Sequence, residues 1–139
     1  MRMKMMLMFG ILLQVSHPSL AGIVEVHEGA ESVQLPYQYL GDIPEVNPTV
    51  LWTRSDLNPK IIHRQREEGA DPSDQNQLYR KRTSMNPDLL DTGNFSLTLR
   101  KPHLSDSGNY TCTISDGRVE LKLTQVQLDG QRSAKEIIC

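Results

Sequence analysis

From residue 22 onward, apolar and polar residues alternate over short runs that Pro, Gly, Asn and Asp break up. Val24 and Val26 alternate before Gly29 turns the chain, and Val33, Leu35 and Tyr37 form the next inward set. Val50 and Trp52 make a third, and Ile61-Ile62 lie in a fourth. Phe95, Leu97 and Leu99 alternate strictly with Ser96, Thr98 and Arg100, the period-two pattern of a half-buried strand. Tyr110, Cys112 and Ile114 keep that period. Asp116-Gly117 is then a two-residue hairpin signal leading into Val119, Leu121 and Leu123. Many short strands separated by turn residues predict an all-β, two-sheet β-sandwich over residues 22–128. Two stretches leave the rhythm. Residues 64–81 (RQREEGADPSDQNQLYRK) read as a solvated excursion at a sheet edge, and residues 129–139 (DGQRSAKEIIC) as a tail beyond the last strand.

Residues 1–21 follow a different plan. Arg2 and Lys4 give a positive start, residues 7–15 form a short apolar run, and Ser19-Leu20-Ala21 supplies the small residues a signal peptidase needs. The run falls far short of the ~20 apolar residues that span a bilayer. An export signal cleaved after Ala21 is therefore expected, with the remainder soluble outside the cell. At 139 residues the chain has room for one domain. Its 15 basic and 17 acidic residues nearly balance, which argues against an electrostatic grip on nucleic acid. With one Trp, four Tyr and two Phe, the core must rest mainly on Val, Leu and Ile.

Catalytic constellations are absent from the sequence. His17 falls in the leader, while His27, His63 and His103 are scattered without metal-ligand spacing. There is no phosphate-binding Gly-rich loop and no Gly-x-Ser-x-Gly elbow. Glu67-Glu68 with Asp71 and Asp74 lack the ordered spacing of a calcium loop. Neither an enzyme, a cofactor, a metal nor a small-molecule substrate is expected. Asn94-Phe95-Ser96 and Asn109-Tyr110-Thr111 are N-glycosylation sequons, whereas Asn47-Pro48-Thr49 is excluded by its proline.

The stretch Asp106-Ser107-Gly108-Asn109-Tyr110-Thr111-Cys112 resembles the strand F signature of immunoglobulin domains. That resemblance implies that Tyr110 forms a tyrosine corner and that Gly108 allows the tight turn before it. It also implies that Arg82, in Arg82-Thr83-Ser84-Met85, pairs with Asp106, and that Trp52 is the strand C tryptophan. The long segment between Trp52 and Arg82 leaves room for two further strands, which favours the variable over the constant type. The words Thr49-Val50-Leu51-Trp52-Thr53-Arg54 and Gly93-Asn94-Phe95-Ser96-Leu97-Thr98-Leu99 are similar to the variable domains of butyrophilin-like and T-cell co-signalling ligand families.

One part of the family pattern is missing. In Ser32-Val33-Gln34-Leu35-Pro36-Tyr37, alternation puts Tyr37 where the family has its first cysteine. The only cysteines are Cys112 and Cys139, and the second follows the last strand, too far along the chain to bridge a core position. Cys112 is expected as a buried free thiol. Cys139 would be an exposed odd cysteine available to join two chains. A truncated form of a longer membrane receptor is the other reading.

The resemblance implies an extracellular module that binds a cell-surface protein receptor or ligand through strands G, F, C and C′ and regulates T-cell responses. Outward positions on that sheet are Leu51, Thr53, Thr111, Thr113, Arg118, Glu120 and Lys122, with Leu51 as the expected apolar anchor. The alternative is an adhesion or structural domain that pairs with itself, with Cys139 as the link.

Overall fold

Strand formation follows the alternation of β-branched and aromatic residues, which pack well on a pleated, half-buried surface. A computed structural model of the chain describes residues 22–132. The expected leader at residues 1–21 and Cys139 therefore lie outside the described residues. The strands are β1 (Gly22–His27), β2 (Ser32–Leu35), β3 (Thr49–Arg54), β4 (Ile61–Arg66), β5 (Gly69–Ala70), β6 (Thr83–Met85), β7 (Leu97–Arg100), β8 (Gly108–Ser115) and β9 (Glu120–Gln131). They form the expected all-β sandwich. One sheet has the order β1-β9-β8-β3-β4-β5 and the other β2-β7-β6. Strand β1 runs parallel to β9, while the remaining ladders are antiparallel.

Trp52, Phe95, Tyr110, Leu35, Leu97, Leu99, Ile62 and Val50 are fully enclosed between the sheets. Trp52 Nε1 donates to the Phe95 carbonyl at 2.9 Å, tying the sheets together while satisfying the one polar atom of the indole. Each sheet thus contributes one apolar face to a shared core.

Strand β9 departs from the simple alternation. Leu121 pairs with Ile114 and Lys122 with Thr113, but Thr124 pairs with Cys112, because a bulge adds a residue between Lys122 and Thr124. Beyond the bulge the inward positions are Val126 and Leu128, both buried. Val119 and Leu121, expected inward, are exposed, and Leu123 is only partly buried. The ladder also outlasts its expected end: Asp129, Gly130 and Gln131 pair with Glu25, Val26 and His27, so the strand takes up the first residues of the expected tail.

The segment 64–81 is likewise more structured than a solvated excursion. Its first residues complete β4, Gly69–Ala70 forms the edge strand β5, and a short 3-10 turn (Gln77–Tyr79) drives Tyr79 into the core. Tyr79 can be buried because its hydroxyl finds two partners, described below.

Candidate recognition face

The outer face of the six-stranded sheet is ordered into rows by strand register. Glu120, Ser115, Thr49 and Arg66 lie side by side across β9, β8, β3 and β4. The next row is Lys122, Thr113, Leu51 and Arg64, and the one below it holds Gln125, Thr111, Thr53 and Ile61. Small residues occupy the centre and long charged ones the margins. The result is a shallow depression of about 240 Å³ with Thr49, Leu51 and Ser115 as its floor, between Arg64 and Arg66 on one side and Glu120 on the other. Arg64 is held by Asp74 and Arg66 by Asp71 at 2.8 Å. The Arg66 hydrogen bond, helped by Ser73, keeps the Asp71 carboxyl well below the usual carboxylate range.

Leu51 does lie on this face, yet it is only 7 % exposed. Its neighbours in the row cover it, so it is not the protruding apolar anchor that alternation alone suggested. Thr113 beside it is 6 % exposed, and its hydroxyl oxygen has no hydrogen-bond partner among the described residues. Thr53 is half-buried, and Glu120 and Lys122 are exposed at the β9 margin. Arg118 stands apart from the row, in the hairpin turn. There Asp116 Oδ1 accepts from the Arg118 and Val119 amides at 2.9 Å each, and these two bonds lower the Asp116 pKa.

The end of the sandwich opposite that hairpin is locked by polar bonds. Asp106 accepts from the Arg82 guanidinium and from the His103 amide at 2.7 Å. Arg82 also donates to the Leu78 carbonyl at 2.6 Å and stacks over the Tyr79 ring. The Tyr110 hydroxyl donates to the Asp106 carbonyl at 2.5 Å, closing the corner. Since that bond uses the Tyr110 proton, Tyr79 is the donor in the 2.8 Å bond between the two tyrosine hydroxyls. Tyr79 in turn accepts from Arg54 Nη1 at 2.7 Å. Burial raises the pKa of both tyrosines, as expected where a phenolate would lose its water.

Arg54 and Tyr79 escaped the sequence reading. Arg54 follows Trp52 on the inward alternation, but a charged residue there gave no signal of burial. Its charge is satisfied by Asp56 at 2.8 Å, and it packs against Gly108, where an added Cβ would lie 2.8 Å from Arg54 Nε. Gly108 is thus needed for close approach.

Tyr37 lies one ladder step beyond the Leu35–Leu97 pair: its carbonyl accepts from the Phe95 amide at 2.9 Å. Its half-buried side chain packs against the core cluster that contains Cys112, and its pKa is raised, first by burial and then by the proximity of Cys112. Cys112 is buried and unbridged. Of the two sequons, Asn109 is exposed at the start of β8 opposite Gln127. Asn94 is half-buried, and its side-chain oxygen accepts from the Ser96 amide at 3.2 Å. No cluster of His, Cys, Asp and Glu able to hold a metal occurs among the described residues, and no helix there is long and apolar enough to cross a membrane.

A sandwich of nine strands among the described residues, with a parallel first strand, a buried tryptophan and a tyrosine corner, defines an immunoglobulin-type variable domain, a class that presents sheet and loop surfaces for recognition. The Immunoglobulin V-set domain family matches residues 22–129, and the chain belongs to that family. Such domains are typically extracellular or at the cell surface, and typically non-enzymatic. Among solved structures, the human B7-H4 IgV-like domain is similar at 23 % identity and a TM-score of 0.66, over 78 % of this chain and 91 % of that one. Bovine butyrophilin is 19 % identical with a TM-score of 0.63, over 80 % of this chain and 50 % of that one. A chain of the complex of ICOS with ICOS-L and an anti ICOS-L VNAR domain is 19 % identical with a TM-score of 0.62, over 82 % and 56 %. This chain therefore spans about half the length of the latter two. No curated protein sequence matches it. At these identities the likeness establishes the fold, and 770 solved chains share it.

Proposed function

We propose that this chain is an exported recognition domain of the immune receptor/ligand type, which docks a protein on another cell through the outer face of its six-stranded sheet and thereby regulates T-cell responses. The observation that carries the reading is the depression floored by Thr49, Leu51 and Ser115 between the charged margins of Arg64, Arg66 and Glu120. The named neighbours add support: one solved complex contains ICOS together with ICOS-L.

The test is staining of immune cells by a multimer of the domain, repeated with face variants. Ser115→Arg fills the depression and should abolish staining, since hot spots sit in central, desolvated pockets. Lys122→Glu, at the rim, should alter the association rate and its salt dependence more than the lifetime of the complex. Gln34→Arg and Ser84→Arg, on the β2-β7-β6 sheet, should leave binding intact. Loss of staining from the latter pair alone would assign recognition to the other sheet. A mass that rises with concentration and falls with reductant would point instead to self-association.

A further inference from the structure

The two sequons are placed very differently by the fold. Asn109 and Thr111 project from the outer face of β8, while Tyr110 between them is buried in the tyrosine corner. Neither the Asn109 side-chain amide nor the Thr111 hydroxyl is hydrogen-bonded among the described residues, so the groups used in glycosyl transfer are unencumbered. Asn109 also lies one step beyond the end of the β3–β8 ladder, whose last pair is Arg54 with Tyr110. It has a strand neighbour only on the β9 side, at Gln127. Asn109 itself is exposed, so a bulky group attached there projects from the sheet. Asn94 lies instead where the chain enters β7 of the other sheet, bridged to Gln38, and a sugar there leaves the recognition face free.

We infer that Asn109 is an N-glycosylation site whose sugar covers the lower part of the outer sheet face, confining a docked protein to the two upper rows. In the modification, Asn109 Nδ2 bonds to the anomeric carbon of a lipid-pyrophosphate-linked oligosaccharide. The bond from that carbon to the pyrophosphate oxygen breaks, the lipid pyrophosphate leaves, and the amide loses one proton; no electrons are exchanged. An N-linked sugar is bulky and strongly hydrated. From Asn109 it reaches first over Gln127 and Thr111, then over Asp129 and its β1 partner Glu25. The row of Glu120, Ser115, Thr49 and Arg66 lies at the far end of the same strands. The confinement of the partner rests on the proposed use of this face; the modification and the shielding do not.

The test uses the full chain translated into endoplasmic-reticulum vesicles, in parallel with the same chain behind a leader of established efficiency. Peptide mapping after enzymatic deglycosylation should find Asn109 converted to Asp, and Asn109→Gln and Thr111→Ala should each remove one glycan's mass. Import by the second leader alone would count against the native export signal while still reading Asn109. An imported chain unmodified at Asn109 overturns the inference. For shielding, carboxyl labelling of the secreted protein is compared before and after trimming to a single sugar. Labelling at Asp129 and Glu25 should at least double, while Glu120 stays unchanged. No change at any of the three overturns the shield. Staining that is insensitive to Ser115→Arg would instead count against the proposed docking face, leaving the glycan result intact.

Discussion

The Cys112 thiol is enclosed on every side, and burial pushes its pKa up, so the thiolate that reacts with labelling reagents is scarce. In a Cys139→Ser background, native thiol titration at neutral pH should therefore detect nothing until the domain unfolds. Tyr37→Cys should allow the inter-sheet bridge to form. In the chain-entropy model the closed loop contributes about 4 kcal/mol, offset in part by the lost burial of the ring. Denaturation with and without reductant, together with a peptide map of the bridge, measures this directly; an unbridged and less stable variant would mean that the two side chains do not face each other. At the other end of the core, Asp106→Asn leaves the Arg82 charge half-buried without its partner. That should cost roughly 3 kcal/mol in chemical denaturation, the low end for breaking a buried pair, because Arg82 keeps some solvent.

Strands β4 and β6 belong to different sheets and are lashed together through His63. Its Nε2 bonds Gln65 Oε1 at 2.8 Å, which requires a proton on Nε2, and its Nδ1 meets Thr83 Oγ1 at 2.8 Å. Gln75 Nε2 donates to the same Thr83 oxygen at 3.0 Å, leaving the hydroxyl proton for His63 Nδ1. The network is complete with neutral histidine and is disrupted by a second ring proton. Burial lowers the His63 pKa below its ordinary value, outweighing the Gln65 bond. Between the folded and unfolded pKa values the unfolded chain binds more protons, so stability contributed by neutral His63 is present above about pH 6.5 and declines as pH falls below it. The slope of unfolding free energy between pH 7 and 5 should be shallower in His63→Gln; an unchanged slope would mean that His63 does not carry it.

Across the whole molecule, the outer sheet face combines a covered leucine with charged margins. Leu51→Ala should lower stability by about 2–3 kcal/mol, the cost of deleting one buried aliphatic side chain. Thermal unfolding of the variant checks this. Multimer staining corrected for the folded fraction should change little, because the side chain is already covered by its row neighbours. A large binding loss without a stability change would restore Leu51 as a contact anchor. The same exposure contrast explains why face residues are harder to infer from sequence than core residues. Alternation tells which way Leu51 points. Whether it is accessible depends on what Arg64 and Thr113 do on neighbouring strands.

Local chemistry was enough to determine the strand rhythm and the class of sandwich, because period-two alternation and turn residues act within a few positions of the chain. It marked the turn at Asp116-Gly117 but not its length: Ser115 pairs with Glu120, so four residues connect the strands and not two. The motif around Cys112 likewise carried Tyr110 and Asp106 in its own wording. Tertiary structure decided the rest. The bulge between Lys122 and Thr124 moves the inward set after it from Leu123 to Thr124, Val126 and Leu128, and an inserted residue exists only relative to the strand it pairs with. Tyr79 looked like part of a polar loop until Arg54 and Tyr110, 25 and 31 residues away, satisfied its hydroxyl. Burial of a polar group depends on partners brought together by folding, and the sequence near that group does not name them.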